Sequence, residues 1–301
     1  MSNRINTPSI AVPPVGRFAP SPSGRMHLGN VYAALLSWYY AKREGGRWLL
    51  RIEDLDPQRC RREYAEWIED DLRWLGLQWD EGGLDGCGMH GPYMQSQRGD
   101  IYEHYLSLLR TRGLTYPCYC SRADILATQA PHESDGRVVY AGTCRGLPVR
   151  PGVPAAIRLR VPSEDISFFD EAYGEQRVNL AQHCGDFILR RKDEAWAYQL
   201  AVVVDDALMG VTQVVRGEDL LLSTPQQIYL QRLLGFPTPR YRHIPLLCNE
   251  QGQRLSKRDR SLDMGVLRQQ YSPEALIGHI AFLAGLVPKD CPISLDELLS
   301  N

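Results

Sequence analysis

The 301-residue sequence has no excess of positive charge and no long apolar run. Its 34 lysines and arginines face 36 aspartates and glutamates, which excludes a protein coated in basic residues but allows a local basic patch. The longest apolar stretch, residues 275–287, is interrupted by two glycines and a histidine and is too short to span a bilayer. The N-terminus has no apolar segment of signal-peptide length. We therefore expect a cytoplasmic protein with no membrane partner.

The sequence also lacks the pattern of a disulfide framework. Five of its eight cysteines occur singly, whereas Cys118, Cys120 and Cys144 form a cluster. In a long chain without a signal peptide, such a cluster favours a metal site in a reducing compartment. Zinc takes four ligands, mostly Cys and His. The residues alone leave His132, Asp135 or a tyrosine open as the fourth ligand, and three unligated loop cysteines remain the alternative.

Short apolar strands alternate with amphipathic helices from residue 15 onwards. This order predicts a doubly wound, parallel-sheet (Rossmann-type) α/β domain, interrupted by an insertion and followed by a small helical C-terminal piece. Helical patterns cover residues 27–43, 63–75, 99–112 and 225–234 and the tail after Pro273. Strand patterns cover Val15–Ala19, Arg47–Ile52, Ala155–Val161, Phe187–Arg191, Leu200–Val204 and Val211–Val215.

A turn that suits a nucleotide follows the first predicted strand. It begins at Arg17 and ends with His27-Leu-Gly29-Asn30 at the start of the first helix. In an open α/β sheet, a helix N-terminus at this edge offers N–H groups to an anion. His27 can donate a hydrogen bond to a phosphate, and Gly29 lets a flat nucleotide lie against the backbone. An ordinary strand–turn–helix junction explains the same residues.

A basic segment lies near the other end of the chain, from Arg254 to Arg260. It carries four positive charges and one negative charge. Lys257 within it could sit against a pyrophosphate as negative charge develops there. A solvated basic surface loop is the alternative for a charge run of this kind.

Together the two segments resemble the two signature motifs of class I aminoacyl-tRNA synthetases. Asn30 stands where the first motif usually has its second histidine, and Arg254 where the second motif usually has its first lysine. Further segments resemble the glutamyl-tRNA synthetase pattern in matching order, so that the resemblance covers residues 15–260. These segments are RIEDLD at 51–56, QSQR at 95–98 and VRGED at 215–219.

The resemblance implies activation of L-glutamate by ATP with Mg²⁺. By family position the catalytic residues are His27, Gly29 and Lys257, and Asn30 joins them in binding ATP. The residues implied to bind glutamate are Arg17, Ala19, Ser21, Glu53, Tyr198 and Arg216. Their types fit the ligand, since Glu53 suits the ammonium group whereas Arg17 and Arg216 suit the side-chain carboxylate. Glutamine would leave Arg216 facing a neutral amide. A strand-ending Glu53 and a structural Arg216 ion pair are the alternatives for these residues in isolation.

A short branch of this family, the glutamyl-queuosine tRNA(Asp) synthetases, has a Cys-x-Cys…Tyr-x3-Cys zinc set. The resemblance therefore selects Cys118, Cys120, Tyr140 and Cys144 as ligands of one structural zinc ion, which can supply about 10 kcal/mol of folding free energy. The implied organisation is a flexible N-terminus (1–14), a first catalytic half (15–115), an acceptor-type insertion with the zinc site (116–195), a second catalytic half (196–248), and a basic signature loop with a short helical, stem-contact-like region (249–301).

Only 44 residues follow Lys257, so we expect no anticodon-binding domain, as in the short branch. Members of that branch activate glutamate without tRNA and attach it to queuosine in the anticodon loop of tRNA(Asp). A truncated glutamyl-tRNA synthetase that charges the tRNA 3′ end and an inactive synthetase-like tRNA-binding protein are the alternatives. We expect a monomer. A basic cradle for the anticodon stem-loop, or else a set of solvated strand faces, is predicted at Arg158, Arg160, Arg190, Arg191 and Lys192.

Overall fold

The computed structural model describes residues 12–127, 139–247 and 263–301. Its first sheet is parallel, with β1 (Val15–Phe18), β2 (Arg47–Leu50) and β3 (Glu81–Gly82) in that order. A second sheet contains β9 (Gln213–Gly217) and β10 (Arg240–Ile244), which are parallel neighbours. The predicted parallel α/β architecture is therefore confirmed.

The two sheets meet at the amino ends of β1 and β9. The backbone N–H of Thr212 donates to the Val15 carbonyl at 2.9 Å, and the Val15 N–H donates to the Thr212 hydroxyl at 2.9 Å. The carboxyl ends of both strands consequently lie on one side of the molecule. Ligands of open α/β folds bind at this edge.

A hairpin that the sequence did not predict completes the second sheet. Strand β6 (Asp165–Asp170) runs parallel to β10, and β7 (Gly174–Asn179) runs antiparallel to β6. The hairpin lies within the predicted insertion at 116–195. Its strands are short and partly polar, which is why their apolar pattern is weak. A separate antiparallel sheet contains β4 (Thr115–Cys118), β5 (Ala156–Leu159) and β8 (Ile188–Arg190).

Helix α1 (Leu28–Arg43) is the central helix of the first core. Close packing against β1 depends on Gly16, because a Cβ atom there would lie 2.9 Å from the Cβ of Ala41. The other helices are α2 (Arg62–Trp74), α3 (Gly99–Thr111), α4 (Arg122–Ala127), α5 (Leu180–His183), α6 (Tyr198–Leu208), α7 (Thr224–Leu234), α8 (Met264–Gln270), α9 (Pro273–Leu283) and α10 (Leu295–Ser300). Within the described ranges, none of them has both the length and the apolarity that a bilayer crossing requires.

The prediction of a strand at Leu200–Val204 is wrong, because these residues lie inside helix α6. All five of them are buried. A helix that is buried on every side reads as a continuous apolar run, and periodicity cannot distinguish it from a buried strand. The three consecutive valines also favoured the strand prediction, since β-branched residues are common in strands.

Candidate active site

A cavity of about 510 Å³ opens at the carboxyl ends of β1 and β9. It brings together residues that are distant in the sequence, from the first turn, the end of β2, helix α6 and strand β9. Every predicted glutamate or ATP residue that the structure describes lines it: Arg17, Ala19, Ser21, His27, Gly29, Asn30, Glu53, Tyr198 and Arg216.

His27 is the N-cap of helix α1 at one wall of this cavity. Its Nδ1 accepts a hydrogen bond from the Gly29 N–H at 3.1 Å, and the Asn30 side chain accepts from the His27 N–H at 3.1 Å. Because Nδ1 is an acceptor, the neutral ring carries its proton on Nε2. A Cβ atom at residue 29 would lie 3.0 Å from the His27 ring, so Gly29 makes room for that ring, a role that the sequence did not reveal.

Arg216 is 5% exposed and is held by neutral groups. Its Nε donates to His243 Nε2 at 3.1 Å, its Nη2 donates to the Thr224 hydroxyl at 2.7 Å, and the Tyr198 hydroxyl lies 3.5 Å from Nη1. No carboxylate of the described residues forms an ion pair with it. A buried cation without an anionic partner is unfavourable unless a ligand supplies the negative charge.

His243 on β10 is in turn held by Asp170 at the end of β6. Asp170 Oδ2 accepts from His243 Nδ1 at 2.6 Å and from the His243 backbone N–H at 3.1 Å, and both side chains are fully buried. Burial, followed by the charge of Arg216, lowers the pKa of His243 to about 4, although Asp170 opposes the shift. The imidazole is therefore neutral near pH 7.

Glu53 and Arg17, which line the cavity, belong to a buried ion-pair network. Arg51 Nη2 lies 3.1 Å from Glu53 Oε1, and Asp206 Oδ1 is shared by Arg51 at 2.7 Å and Arg17 at 3.3 Å. Burial raises the pKa of Glu53, only partly offset by Arg51 and Arg17. A ligand ammonium group would restore the positive charge that favours its ionised form.

Two aspartates that organise this network were not predicted from the sequence. Asp205 and Asp206 lie on α6, directly after the residues that were predicted to form a strand. Asp205 accepts from Arg98 at 2.6 Å, from Gln95 at 2.8 Å and from the Tyr102 hydroxyl at 2.9 Å. The available signal was a pair of acids placed directly after a buried apolar run, where a structural partner is required.

The chain on either side of the basic signature segment borders the cavity. Leu247 lines the cavity, and Asp263 forms an isolated bridge with His27. Residues 248–262, which include Arg254 and Lys257, lie outside the described residues. The role of Lys257 accordingly stays a prediction.

Comparisons with known proteins agree with this geometry. A family model for the catalytic domain of class I (E and Q) tRNA synthetases matches residues 15–291. The curated "Glutamyl-Q tRNA(Asp) synthetase" of Symbiobacterium thermophilum is 49% identical over 94% of this chain and 90% of its own length. That of Nitratidesulfovibrio vulgaris is 50% identical over 92% and 88%, respectively. This chain belongs to the glutamyl-Q tRNA(Asp) synthetase family.

A longer relative of known structure has the same fold over most of this chain. A glutamate tRNA ligase from Elizabethkingia meningosepticum, crystallised in complex with its amino acid, superposes with a TM-score of 0.82 at 30% identity. The superposition covers 96% of this chain but 64% of the ligase. A curated "Glutamate--tRNA ligase 2" from Alkalilimnicola ehrlichii is 44% identical, and the match covers 58% of it.

In this family member the three clustered cysteines converge on one point. The Sγ atoms of Cys118, Cys120 and Cys144 lie within 4.8 Å of one another. The Tyr140 hydroxyl is 3.4 Å from Cys118 Sγ and 3.9 Å from Cys120 Sγ. The alternative ligands His132 and Asp135 lie outside the described residues. Three thiols at these separations could hold a metal ion, and thiolates are among the ligands that zinc prefers.

The thiols of this cluster differ in acidity. Burial opposes ionisation of Cys144, but hydrogen bonds from the Tyr119 N–H and from Tyr140 and Cys120 lower its pKa to about 7. Burial raises the pKa of Cys120 to about 11. Neighbouring thiolates repel one another, so full deprotonation of the set calls for a cation.

The basic cradle predicted for the nucleic acid is wrong at Arg158. This side chain is 5% exposed, stacks 3.7 Å above the centre of the Tyr140 ring and donates to the Asp186 carbonyl at 2.6 Å. A buried arginine cannot contact a tRNA backbone. The rest of the predicted set is half-buried or exposed and stays a prediction: Arg160, Arg190, Arg191 and Lys192.

Proposed function

We propose that this protein activates L-glutamate with ATP in the absence of tRNA and then transfers the glutamyl group to queuosine in the anticodon loop of tRNA(Asp). One observation carries the proposal. Arg216 is a buried cation with neutral partners, and it shares a cavity with the Glu53 carboxylate and the N-terminus of helix α1. These groups match the side-chain carboxylate and ammonium group of glutamate and the phosphates of ATP.

In the first step, an oxygen of the glutamate α-carboxylate attacks the α-phosphorus of ATP, the bond to the bridging oxygen breaks, and pyrophosphate leaves. Little covalent chemistry falls to the protein, so that positioning and charge stabilisation provide the rate. His27, with its proton on Nε2, donates to a phosphate, and Lys257 stabilises the charge on the departing pyrophosphate. Mg²⁺ accompanies ATP by the same electrostatic logic.

In the second step, a nucleophile of the modified base attacks the carbonyl carbon of glutamyl-adenylate, and AMP leaves. A second cavity of about 420 Å³ adjoins the first and shares Ser21, Glu53 and Tyr198 with it. Trp196 and the exposed Arg191 line this second cavity. An aromatic ring and a cation suit a base with its phosphate, which is why we assign the acceptor to this side.

We also propose one structural zinc ion held by Cys118, Cys120, Tyr140 and Cys144. The cluster around these residues contains few other buried apolar side chains, among them Tyr116 and Ala156. So small an apolar cluster gains little from burial, and metal coordination would supply the missing stabilisation. The domain limits predicted above, with an insertion at 116–195, belong to the same proposal.

Two assays test the function. Glutamate-dependent exchange of pyrophosphate into ATP should proceed without tRNA, and its absence would indicate a binding protein instead. Labelled glutamate should then enter tRNA(Asp) that contains queuosine but not the same tRNA without it. Equal labelling of both, or labelling of tRNA(Glu) alone, would support a glutamate–tRNA ligase, the activity named for the Alkalilimnicola ehrlichii relative.

A further inference from the structure

We propose that Asp170 and His243 are positioning residues that determine glutamate specificity through Arg216. Asp170 fixes the proton of His243 on Nδ1, so that Nε2 must accept from Arg216 and hold the guanidinium group at the cavity without neutralising it. This inference rests on the proposed function, because it assigns to Arg216 the carboxylate of the substrate. Asp170 and His243 do not line the cavity themselves.

The hydrogen bonds around Asp170 leave one tautomer for His243. Asp170 Oδ1 accepts from the backbone N–H groups of Ala172 and Tyr173, both at 3.0 Å. Its Oδ2 lies 2.6 Å from His243 Nδ1. An ionised carboxylate can only accept, so Nδ1 must carry the proton. The other ring nitrogen, Nε2, then has a lone pair directed at its neighbours.

Arg216 is the donor that the structure places at that lone pair, and the Thr224 hydroxyl, which also reaches the Leu220 carbonyl at 3.3 Å, is a second neighbour. Arg216 Nε lies 3.1 Å from His243 Nε2, and the Thr224 hydroxyl lies 3.2 Å from it. The opposite tautomer would place an N–H group against the N–H of Arg216, which has no lone pair. Asp170 therefore controls, through the intervening His243 side chain, whether Arg216 has a hydrogen-bond acceptor at its Nε.

A neutral acceptor differs from a carboxylate in what it leaves for the ligand. Arg17, in the same cavity, has an ion pair with Asp206 at 3.3 Å, so part of its charge is already compensated. Arg216 is bound by an imidazole and a hydroxyl, and Tyr241 lies beneath it with its ring centre 5.4 Å from the guanidinium carbon. The orientation of Arg216 is thus fixed without an ion pair to a carboxylate of the described residues, which favours a carboxylate over an amide as its ligand.

Three variants separate this role from a merely structural one. In His243→Asn, the amide can reach only the position of Nδ1, so the contact with Asp170 survives and the acceptor for Arg216 is lost. In His243→Gln, the side-chain oxygen reaches the position of Nε2 and restores that acceptor. In Asp170→Asn, the retained oxygen keeps the turn at residues 172–173, whereas the new NH2 group donates to Nδ1 and moves the proton to Nε2, as in the corresponding change of a Ser-His-Asp triad.

The assay is glutamate-dependent pyrophosphate exchange with the full chain, with glutamine as a competing substrate. We expect His243→Asn and Asp170→Asn to raise the KM for glutamate about tenfold, the effect of one lost charge-assisted hydrogen bond. The kcat and the KM for ATP should stay within about twofold, and His243→Gln should recover most of the loss. Equal impairment of all three variants, with kcat and the KM for ATP also affected, would show a structural role and overturn the inference.

A second measurement does not depend on activity. Nitrogen-15 NMR of the histidine ring in the wild-type protein should show a neutral His243 protonated on Nδ1, assigned by its loss in His243→Gln. Protonation on Nε2 would overturn the inference whatever the kinetic behaviour of the variants. If the wild-type protein shows no glutamate-dependent exchange, the proposed function fails, while the tautomer still decides whether Asp170 orients His243 towards Arg216.

Discussion

The charge of Arg216 should decide both affinity for glutamate and rejection of glutamine, and Arg216→Gln tests this. A guanidinium group can make two charge-assisted hydrogen bonds to a carboxylate, each worth about 1.5–3 kcal/mol. Loss of both at the lower value removes about 3 kcal/mol, which corresponds to a fall of about 150-fold in kcat/KM for glutamate. Any activity with glutamine should fall much less, so the ratio of kcat/KM for glutamate to kcat/KM for glutamine should decrease.

The folded state should tolerate this change. Arg216 has no carboxylate partner among the described residues, so its removal leaves no buried anion unpaired, and we expect a small shift in Tm or a slight gain. Arg242→Gln is the matched control, because that neighbouring arginine pairs with Glu171 at 3.0 Å and does not line the cavity. The assay is pyrophosphate exchange without tRNA. Retention of glutamate activity within threefold, or equal losses for glutamate and glutamine, would refute the reasoning.

Three other outcomes are expected. Burial lowers the pKa of His243 from 6.5 to about 4, so between these pH values the unfolded chain binds a proton that the folded protein does not. The free energy of unfolding should therefore fall by about 3 kcal/mol as the pH drops from above 6.5 to 4. Urea denaturation at several pH values measures this, and a similar pH dependence in His243→Gln would contradict it. Removal of zinc by a chelator should lower Tm, and Tyr140→Phe should weaken zinc retention in a competition assay. A purified protein that contains no zinc, and whose Tm the chelator does not change, would argue against the site. Lys257→Ala should slow adenylate formation, measured by single-turnover kinetics, far more than it weakens glutamate binding, measured by calorimetry. Comparable losses in both would exclude a transition-state role.

Local patterns in the chain were sufficient to predict a parallel α/β fold. The alternation of strands and helices predicted a parallel sheet. The turn between β1 and α1 was placed correctly because it depends on residues that are close in the sequence. The ordered motifs named Arg17, Glu53 and Arg216 as neighbours. The structure places all three in one cavity. Motif order could do this because the resemblance to a known family relates segments that are far apart in the chain.

Contacts between residues that are distant in the sequence could not be predicted in this way. The helix at Tyr198–Leu208 was mistaken for a strand, and its two aspartates, which hold Arg51 and Arg98, were overlooked. The buried position of Arg158 was also unforeseen, since a strand of alternating residues gives no sign of which face another element covers.

The sequence alone determined the chemistry available to this protein: a cationic and an anionic side chain for an amino acid, a helix start for a nucleotide and a cluster of thiols. Only the tertiary structure decided which of these charges are already compensated. Arg17 and Arg216 are the same residue type, but the first faces an aspartate and the second a neutral histidine. That difference arises from contacts between residues 27 to 189 positions apart, and electrostatic energy depends on distance and burial in space, which the order of residues does not specify.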